Sequence, residues 1–259
     1  MEKGNQETPK IELSLVIPAY NEEKNIELTL KNVEQFLDEE KLSYEIIVVD
    51  DGSRDKTVEI VSDFIAGKNG FSLIKNPHRG KGFTVRTGVF AASGKNILFT
   101  DADGSTPIRE LKRLSFWLTN NDFDIVIASR EGKGARRTGE PYLRHLMGRV
   151  FNYIVQLITL PGINDTQCGF KLFRNMVAKN IFSKLSVYGE TSPEIPFAFT
   201  GAFDVEVLYL ARKMGYKIKE VPVEWTYSKT ERVDPLRDSF RMFRDVLKIR
   251  LNDLRGRYK

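Results

Sequence analysis

The sequence predicts an α/β protein built on a mostly parallel sheet. Three observations carry that expectation. Short apolar runs of strand length recur through the first half, segments of helical periodicity separate them, and polar clusters stand where the runs end.

The elements follow in order. Leu13-Ser14-Leu15-Val16-Ile17 closes at Pro18, as a buried parallel strand does. From Asn21 to Leu37, Ile26, Leu30, Val33 and Leu37 recur at helical spacing, with Asn21 as the expected N-cap. Glu45 to Val49 is a second buried strand, ending in Asp50-Asp51-Gly52. A helix from about Asp55 to Ile65, a strand from Phe71 to Lys75 and a helix from Phe83 to Ala92 come next. Asn96 to Thr100 is a fourth strand that runs into Asp101-Ala102-Asp103-Gly104. Pro107, a first-turn residue, opens a helix to Leu118, and Phe123 to Ala128 is a fifth strand. Arg130 to Glu140, rich in Gly and Arg, reads as a mobile loop. An apolar helix from Tyr142 to Leu160, a helix from Phe203 to Met214, a strand from Lys217 to Trp225 and a basic helix from Leu236 to Leu254 complete the pattern.

The length of 259 residues suits one large domain with an elaborated C-terminal part. Residues 1–10 read as a disordered polar tail, 11–235 as the main domain with halves 11–128 and 129–235, and 236–259 as a basic amphipathic helix. The lone cysteine, Cys168, allows no internal disulfide and points to a reducing compartment. The N-terminus lacks the apolar stretch of a signal peptide. No apolar run reaches the roughly 20 residues that span a bilayer, and the run from Val150 to Leu160 is broken by Asn152 and Gln156.

Charge is concentrated. Ser228 to Lys259 holds ten Lys/Arg against five Asp/Glu, and Ala128 to Val150 holds six against two. Such segments face either phosphates and anionic membrane or simply water.

Ligands of parallel sheets bind beyond the carboxyl ends of the strands. Tyr20-Asn21-Glu22, Asp50-Asp51 and Asp101/Asp103 stand at three such ends and converge on one crevice. The first strand leads to Pro-Ala-Tyr-Asn-Glu and not to a Gly-x-Gly-x-x-Gly turn, which disfavours a dinucleotide oxidoreductase. Gly80-Lys81-Gly82 lacks P-loop spacing, and with two histidines, His78 and His145, a histidine-based metal site or triad is not expected. His78 reads as a loop residue at the surface. Asp101 and Asp103 offer hard oxygens to Mg²⁺ or Mn²⁺ beside a diphosphate, although Asp-x-Asp-Gly also makes turns.

The string Val16-Ile17-Pro18-Ala19-Tyr20-Asn21-Glu22-Glu23 resembles the opening of family 2 glycosyltransferases, which have the GT-A fold. Val48 to Ser53 and Asp101 to Gly104 match the next two motifs of that family. Within it, Arg79-Gly80-Lys81-Gly82, Asp165 to Phe173 and Phe203 to Tyr209 resemble dolichyl-phosphate β-glucosyltransferases, with the mannosyltransferases a more distant match.

The resemblance implies an inverting, metal-dependent transfer of glucose from UDP-glucose to dolichyl or polyprenyl phosphate. The alternatives are mannose transfer from GDP-mannose, another hexose, or a catalytically silent GT-A binding module. It implies that Pro18, Tyr20, Glu22, Asp50 and Asp51, with Lys81, hold the nucleotide, and that 11–128 is the nucleotide-sugar half and 129–235 the acceptor half. Asp101, Asp103 and Ser105 would hold Mg²⁺ or Mn²⁺ and the diphosphate. Arg130 and Arg144 would grip the acceptor phosphate, and Lys229 and Arg232 would close over the diphosphate. For Arg130 the alternative is a surface pair with Glu131 or Asp124. Asp204 is open between sugar contact and helix cap, and Asp165 and Gln167 between sugar contact and turn hydrogen bond. No nucleic acid is expected as a partner.

Relatives of this kind usually carry a transmembrane anchor at one end. The expectation here is a cytoplasmic protein, peripheral on the cytosolic face of a membrane, held by its own helices, by a membrane-protein partner or as a homo-oligomer. Phe240, Phe243, Leu247, Leu251 and Leu254 form a stripe beside Arg241, Arg244, Lys248 and Arg255, and Val150, Phe151, Ile154 and Ile158 form a second. The alternative is that both stripes pack against the sheet as core.

Overall fold

Apolar strands with no alternation need cover on both faces, and the intervening helices supply it. The computed structural model describes residues 11–195, 201–228 and 235–258. Its elements are β1 (Leu13–Ala19), α1 (Ile26–Glu39), β2 (Tyr44–Asp50), α2 (Thr57–Ile65), β3 (Phe71–Lys75), α3 (Lys81–Ala91) and β4 (Asn96–Thr100). A 3₁₀ turn (Ile108–Glu110), α4 (Leu111–Asn120), β5 (Ile125–Ser129), β6 (Arg136–Thr138), α5 (Tyr142–Ile158), β7 (Phe170–Arg174) and α6 (Asn175–Ser183) follow. The chain ends with α7 (Phe203–Lys213), β8 (Ile218–Pro222), β9 (Glu224–Thr226) and α8 (Pro235–Leu254).

Seven strands form one sheet in the order β3-β2-β1-β4-β7-β5-β8. All neighbours are parallel except β7, which runs antiparallel to both β4 and β5. One face is sealed by Leu15, Ile17, Val48 and Leu98 against Leu30 and Leu114. On the other face Val16, Val49 and Phe99 meet Val89, Phe182, Leu208 and Val246.

The structure departs from the expected elements at several places, each for a local reason. Asn21 is not a helix cap. Its φ is +52°, a left-handed conformation that Asn tolerates, and its Oδ1 accepts the Arg54 N–H while its own N–H donates to Ser53. These bonds, with Glu22 N–H donating to Thr57 Oγ1, tie 21–23 to the 53–57 turn and delay α1 to Ile26. The segment expected as a mobile loop contains β6, which pairs with β9. The strand expected from 217 to 225 is two strands, divided at Val223, whose N–H donates to the Ser129 carbonyl.

Two elements, β7 and α6, have no counterpart in the sequence reading. In β7 the charge of Lys171 disguises a strand whose first four residues are buried. Lys171 is fully buried and donates to the Cys168 carbonyl (2.5 Å) and to Asp204 Oδ1 (2.5 Å). An ammonium withdrawn from water requires such a partner.

The two amphipathic helices pack against each other. In α8, Val246 and Ile249 enter the core while Phe240, Leu247, Leu251 and Leu254 are exposed and Phe243 is half-buried. Three tyrosine bonds fasten this part of the chain: Tyr188 donates to Asp245, Tyr209 to Asp253 and Tyr258 to Glu206. In α5 the expected stripe is rotated. Phe151 and Ile158 pack on the core, and the exposed line is Tyr142, Leu146, Val150, Tyr153 and Leu157. No helix among the described residues is long and apolar enough to cross a membrane.

Candidate active site

The carboxyl ends of β1, β2, β4 and β5 open into a cleft of about 650 Å³. Pro18, Tyr20, Glu22, Asp51 and Lys81 line it, as do Asp101, Asp103 and Ser105. Arg130 and Arg144 line its other end. Two of the expected nucleotide-sugar residues do not reach the cleft. The Asp50 carboxylate turns back to accept the N–H groups of Gly52 and Ser53, making the β2 turn. Asp204 is 1% exposed, held by Lys171 beneath the floor, and is not the cap of α7, whose N-cap is Ala202. Lys229 and Arg232 lie outside the described residues.

At the first end, backbone turns fix the side chains. Asp51 accepts the N–H groups of Arg79 and Gly80 (both 2.9 Å) and contacts His78 Nδ1 at 2.8 Å. Burial still raises its carboxyl above the usual range, against the pull of those bonds. Gly80, with φ +88°, takes the left-handed turn that closes this loop and sets Lys81 at the start of α3. His78 is therefore no surface residue: its ring stacks on Tyr20 with centroids 4.0 Å apart. Its link to Asp51 spans 27 residues and has no signal in the local sequence.

Asp101 and Asp103 stand after β4. The Lys81 ammonium pairs with Asp101, and Asp103 accepts the Ser105 N–H at 2.9 Å. Burial first, then the charge of Asp101, raises Asp103 above an ordinary carboxyl, while Ser105 opposes the shift. Two carboxylates against the single Lys81 ammonium, beside a hydroxyl, leave net negative charge that fits a hard divalent cation taking its remaining ligands from phosphate and water. Among the described residues no third acid or histidine joins them. Gly169 explains how Asp101 is seated: a Cβ there would collide with the Asp101 carboxyl, and its carbonyl accepts the Asp101 N–H.

At the other end, side-chain partners from distant segments do the holding. Arg130 donates through Nε to Asp165 Oδ2 and through Nη2 to Oδ1, both at 2.8 Å, and its own N–H also reaches Oδ2. The expected alternatives, Glu131 and Asp124, are not its partners. Burial alone would raise the Asp165 carboxyl, but the charge and three hydrogen bonds of Arg130 outweigh it and hold it down to about 2. The Arg130 guanidinium lies 5.3 Å from the Trp225 ring. Arg137, which the sequence reading passed over, donates to the Arg130 carbonyl and pairs with Glu131 and Glu140. Arg144 is looser, 4.0 Å from Glu140 and 5.0 Å from the Tyr227 ring. This end is thus rich in guanidinium groups suited to phosphate.

Comparison with known proteins agrees with this geometry. The model of glycosyl transferase family 2 matches residues 14–182. A dolichyl-phosphate β-glucosyltransferase of Dictyostelium discoideum is 37% identical, with 96% of this chain and 77% of that protein covered. Enzymes of the same name from Homo sapiens (33% identical; 99% and 82% covered) and Saccharomyces cerevisiae (32%; 98% and 79%) are similar as well. Among solved structures, mannosyl-3-phosphoglycerate synthase from Rubrobacter xylanophilus superposes with a TM-score of 0.67 at 19% identity, covering 95% of this chain and 76% of its own. Glucosyl-3-phosphoglycerate synthase from Mycobacterium tuberculosis, in complex with Mn²⁺, UDP and phosphoglyceric acid, gives 0.62 at 20% identity, covering 95% and 78%. The fold is GT-A, as the motifs led us to expect, and the chain belongs to glycosyl transferase family 2.

Proposed function

We propose that this family 2 glycosyltransferase transfers glucose from UDP-glucose to the phosphate of dolichol or a related polyprenol, with inversion at the anomeric carbon. The observation that carries this reading is the polarity of the cleft, with a carboxylate pair at one end and clamped arginines at the other. The names of the curated relatives support the sugar and the acceptor.

In the reaction, an oxygen of the acceptor phosphate attacks C1 of glucose as the bond from C1 to the diphosphate breaks, and UDP departs from the opposite face. A phosphate monoester has its second pKa near ~6, so the acceptor arrives mostly as the dianion and no general base is needed. Arg130 and Arg144 orient that dianion and offset its repulsion from the donor diphosphate. Lys81 adds positive charge on the diphosphate side. Tyr20, His78 and Asp51 form the wall against which the base and ribose rest. Mg²⁺ or Mn²⁺ held by Asp101 and Asp103, with Ser105 beside them, would neutralise the charge of the leaving diphosphate.

The acceptor's tail belongs in lipid, and the same reading places the protein peripherally on the cytosolic face of a membrane. Leu143, Met147 and Met242 extend the cleft lining onto α5 and α8. The exposed apolar lines of both helices continue from there, with Arg244, Lys248 and Arg250 exposed on α8 and Arg255 exposed just after it. Such a layout suits an interface with anionic headgroups.

Transfer assays with UDP-glucose, UDP-galactose and GDP-mannose, with and without polyprenyl phosphate and with Mn²⁺ or EDTA, test the reaction. Preference for GDP-mannose, or full turnover in EDTA, would overturn the donor or the metal reading. For attachment, the protein should sediment with phosphatidylserine vesicles, less at high salt and less after Phe240→Asp with Leu247→Asp. Indifference to both changes would refute the helix-borne mode.

A further inference from the structure

Two residues that line the cleft each carry a buried polar atom with no hydrogen-bond partner. Asn152, on α5, is 6% exposed; its Nδ2 donates to the Ile163 carbonyl, but its Oδ1 is unpartnered. Gln167, in the turn before β7, has its Nε2 buried and unpartnered. Both residues line the cleft. A buried amide atom without a partner is costly, and a site that holds one gains when a ligand supplies the missing bond.

Their place is as telling as their state. The segment from Asp165 to Gly169 joins the two ends of the cleft: Asp165 clamps Arg130, and Gly169 seats Asp101. Gln167 stands midway between them. Asn152 is tied to the residues just before, through Ile163, and sits on the helix that carries Arg144. If the diphosphate lies by Asp101 and the acceptor phosphate by the arginines, the sugar being transferred lies between, beside these two amides.

We infer that Asn152 Oδ1 and Gln167 Nε2 form a hydroxyl-recognition subsite for the transferred hexose, one accepting and one donating, and so determine which sugar is moved. Neither is a metal ligand or a phosphate contact. This rests on the donor reading above. Pockets that hydrogen-bond a substrate hydroxyl discriminate far better than apolar ones, because the wrong sugar leaves their polar atoms unpaired.

The test separates sugar from nucleotide. The full chain with Mn²⁺ is titrated calorimetrically with UDP and with UDP-glucose, as wild type, Gln167→Met and Asn152→Ala. In each variant the ratio of the UDP-glucose to the UDP dissociation constant should rise roughly tenfold, with the UDP value within about twofold of wild type. Gln167→Met removes no internal bond of the side chain, so it decides the matter if Asn152→Ala fails to fold. An unchanged ratio in Gln167→Met, or equal losses for UDP and UDP-glucose, would overturn the inference. If the wild type binds neither UDP ligand, the donor reading falls instead, and the same ratio measured with GDP and GDP-mannose decides the subsite.

Discussion

The two ends of the cleft are built by different means. At the carboxylate end, backbone N–H groups orient Asp51, from Arg79 and Gly80, and Asp103, from Ser105, and Asp50 makes such a turn itself. At the arginine end, Arg130 is held by a carboxylate side chain 35 residues away, against a ring from β9. Backbone turns are rigid and tolerate surface change around them. A side-chain clamp depends on one partner, so a single substitution can dismantle it.

The largest effect should come from the carboxylate end. Asp103→Ala is expected to fold and to lose transfer by about 10³-fold or more, since it removes a proposed cation ligand at the cost of one turn hydrogen bond, that from the Ser105 N–H. Metal-dependent nucleotide binding, followed by calorimetry, should disappear with it. Retained turnover would show that the carboxylate pair is only a turn.

At the arginine end, Asp165→Ala should damage stability as well as rate. Removing one partner of a buried pair costs about 3–5 kcal/mol, readable by urea unfolding. The pair also predicts an acid limb. With its folded value depressed to about 2, Asp165 contributes stability that is complete above the unfolded value near ~3.9 and is lost as pH falls from there. The variant's stability should be flatter across that window.

Arg144 is held loosely, so Arg144→Ala should leave the melting temperature unchanged and lower transfer by roughly 10²-fold, with UDP-glucose binding retained. An equal fall in donor affinity would move Arg144 to the donor side.

The smallest effect concerns Asp103 again, in the protein without metal. Burial and the charge of Asp101 raise its folded value. The sign is the reverse of Asp165: a penalty accumulates as pH rises above the unfolded value and is full once Asp103 is ionised. Asp103→Asn should therefore melt higher than the wild type at pH 7 without metal, and Mn²⁺ with UDP should stabilise only the wild type.

The same division decides what was legible in the sequence. Asp101, Asp103 and Tyr20 follow strands in short motifs, so their place in the cleft could be read from order alone. The fold class was legible for the same reason through β5. The β7 strand was not, because Lys171 interrupts its apolar pattern and finds Asp204 only in three dimensions. His78 needed Asp51, and Arg130 needed Asp165; neither link leaves a trace in local spacing. Asn152 did leave one, as a polar residue inside an apolar helical run, but that signal named no ligand. Asp204 misled, since an acid in the first turn of a helix also looks like a cap.

The antiparallel insertion of β7 has a consequence for how the chain reaches this state. During synthesis β1 to β4 can pair as they emerge, yet β4 keeps an open edge, and β5 has no place in the sheet, until residues 170–174 arrive between them. Exposed strand edges recruit other chains, and pairings over long sequence separations are slow. The interval between making β4 and making β7 is therefore when this protein is most prone to aggregate, and refolding yield should fall with concentration more steeply than its native stability suggests. A synonymous or chaperone effect on expression would act in that window, well before Arg130 has met Asp165.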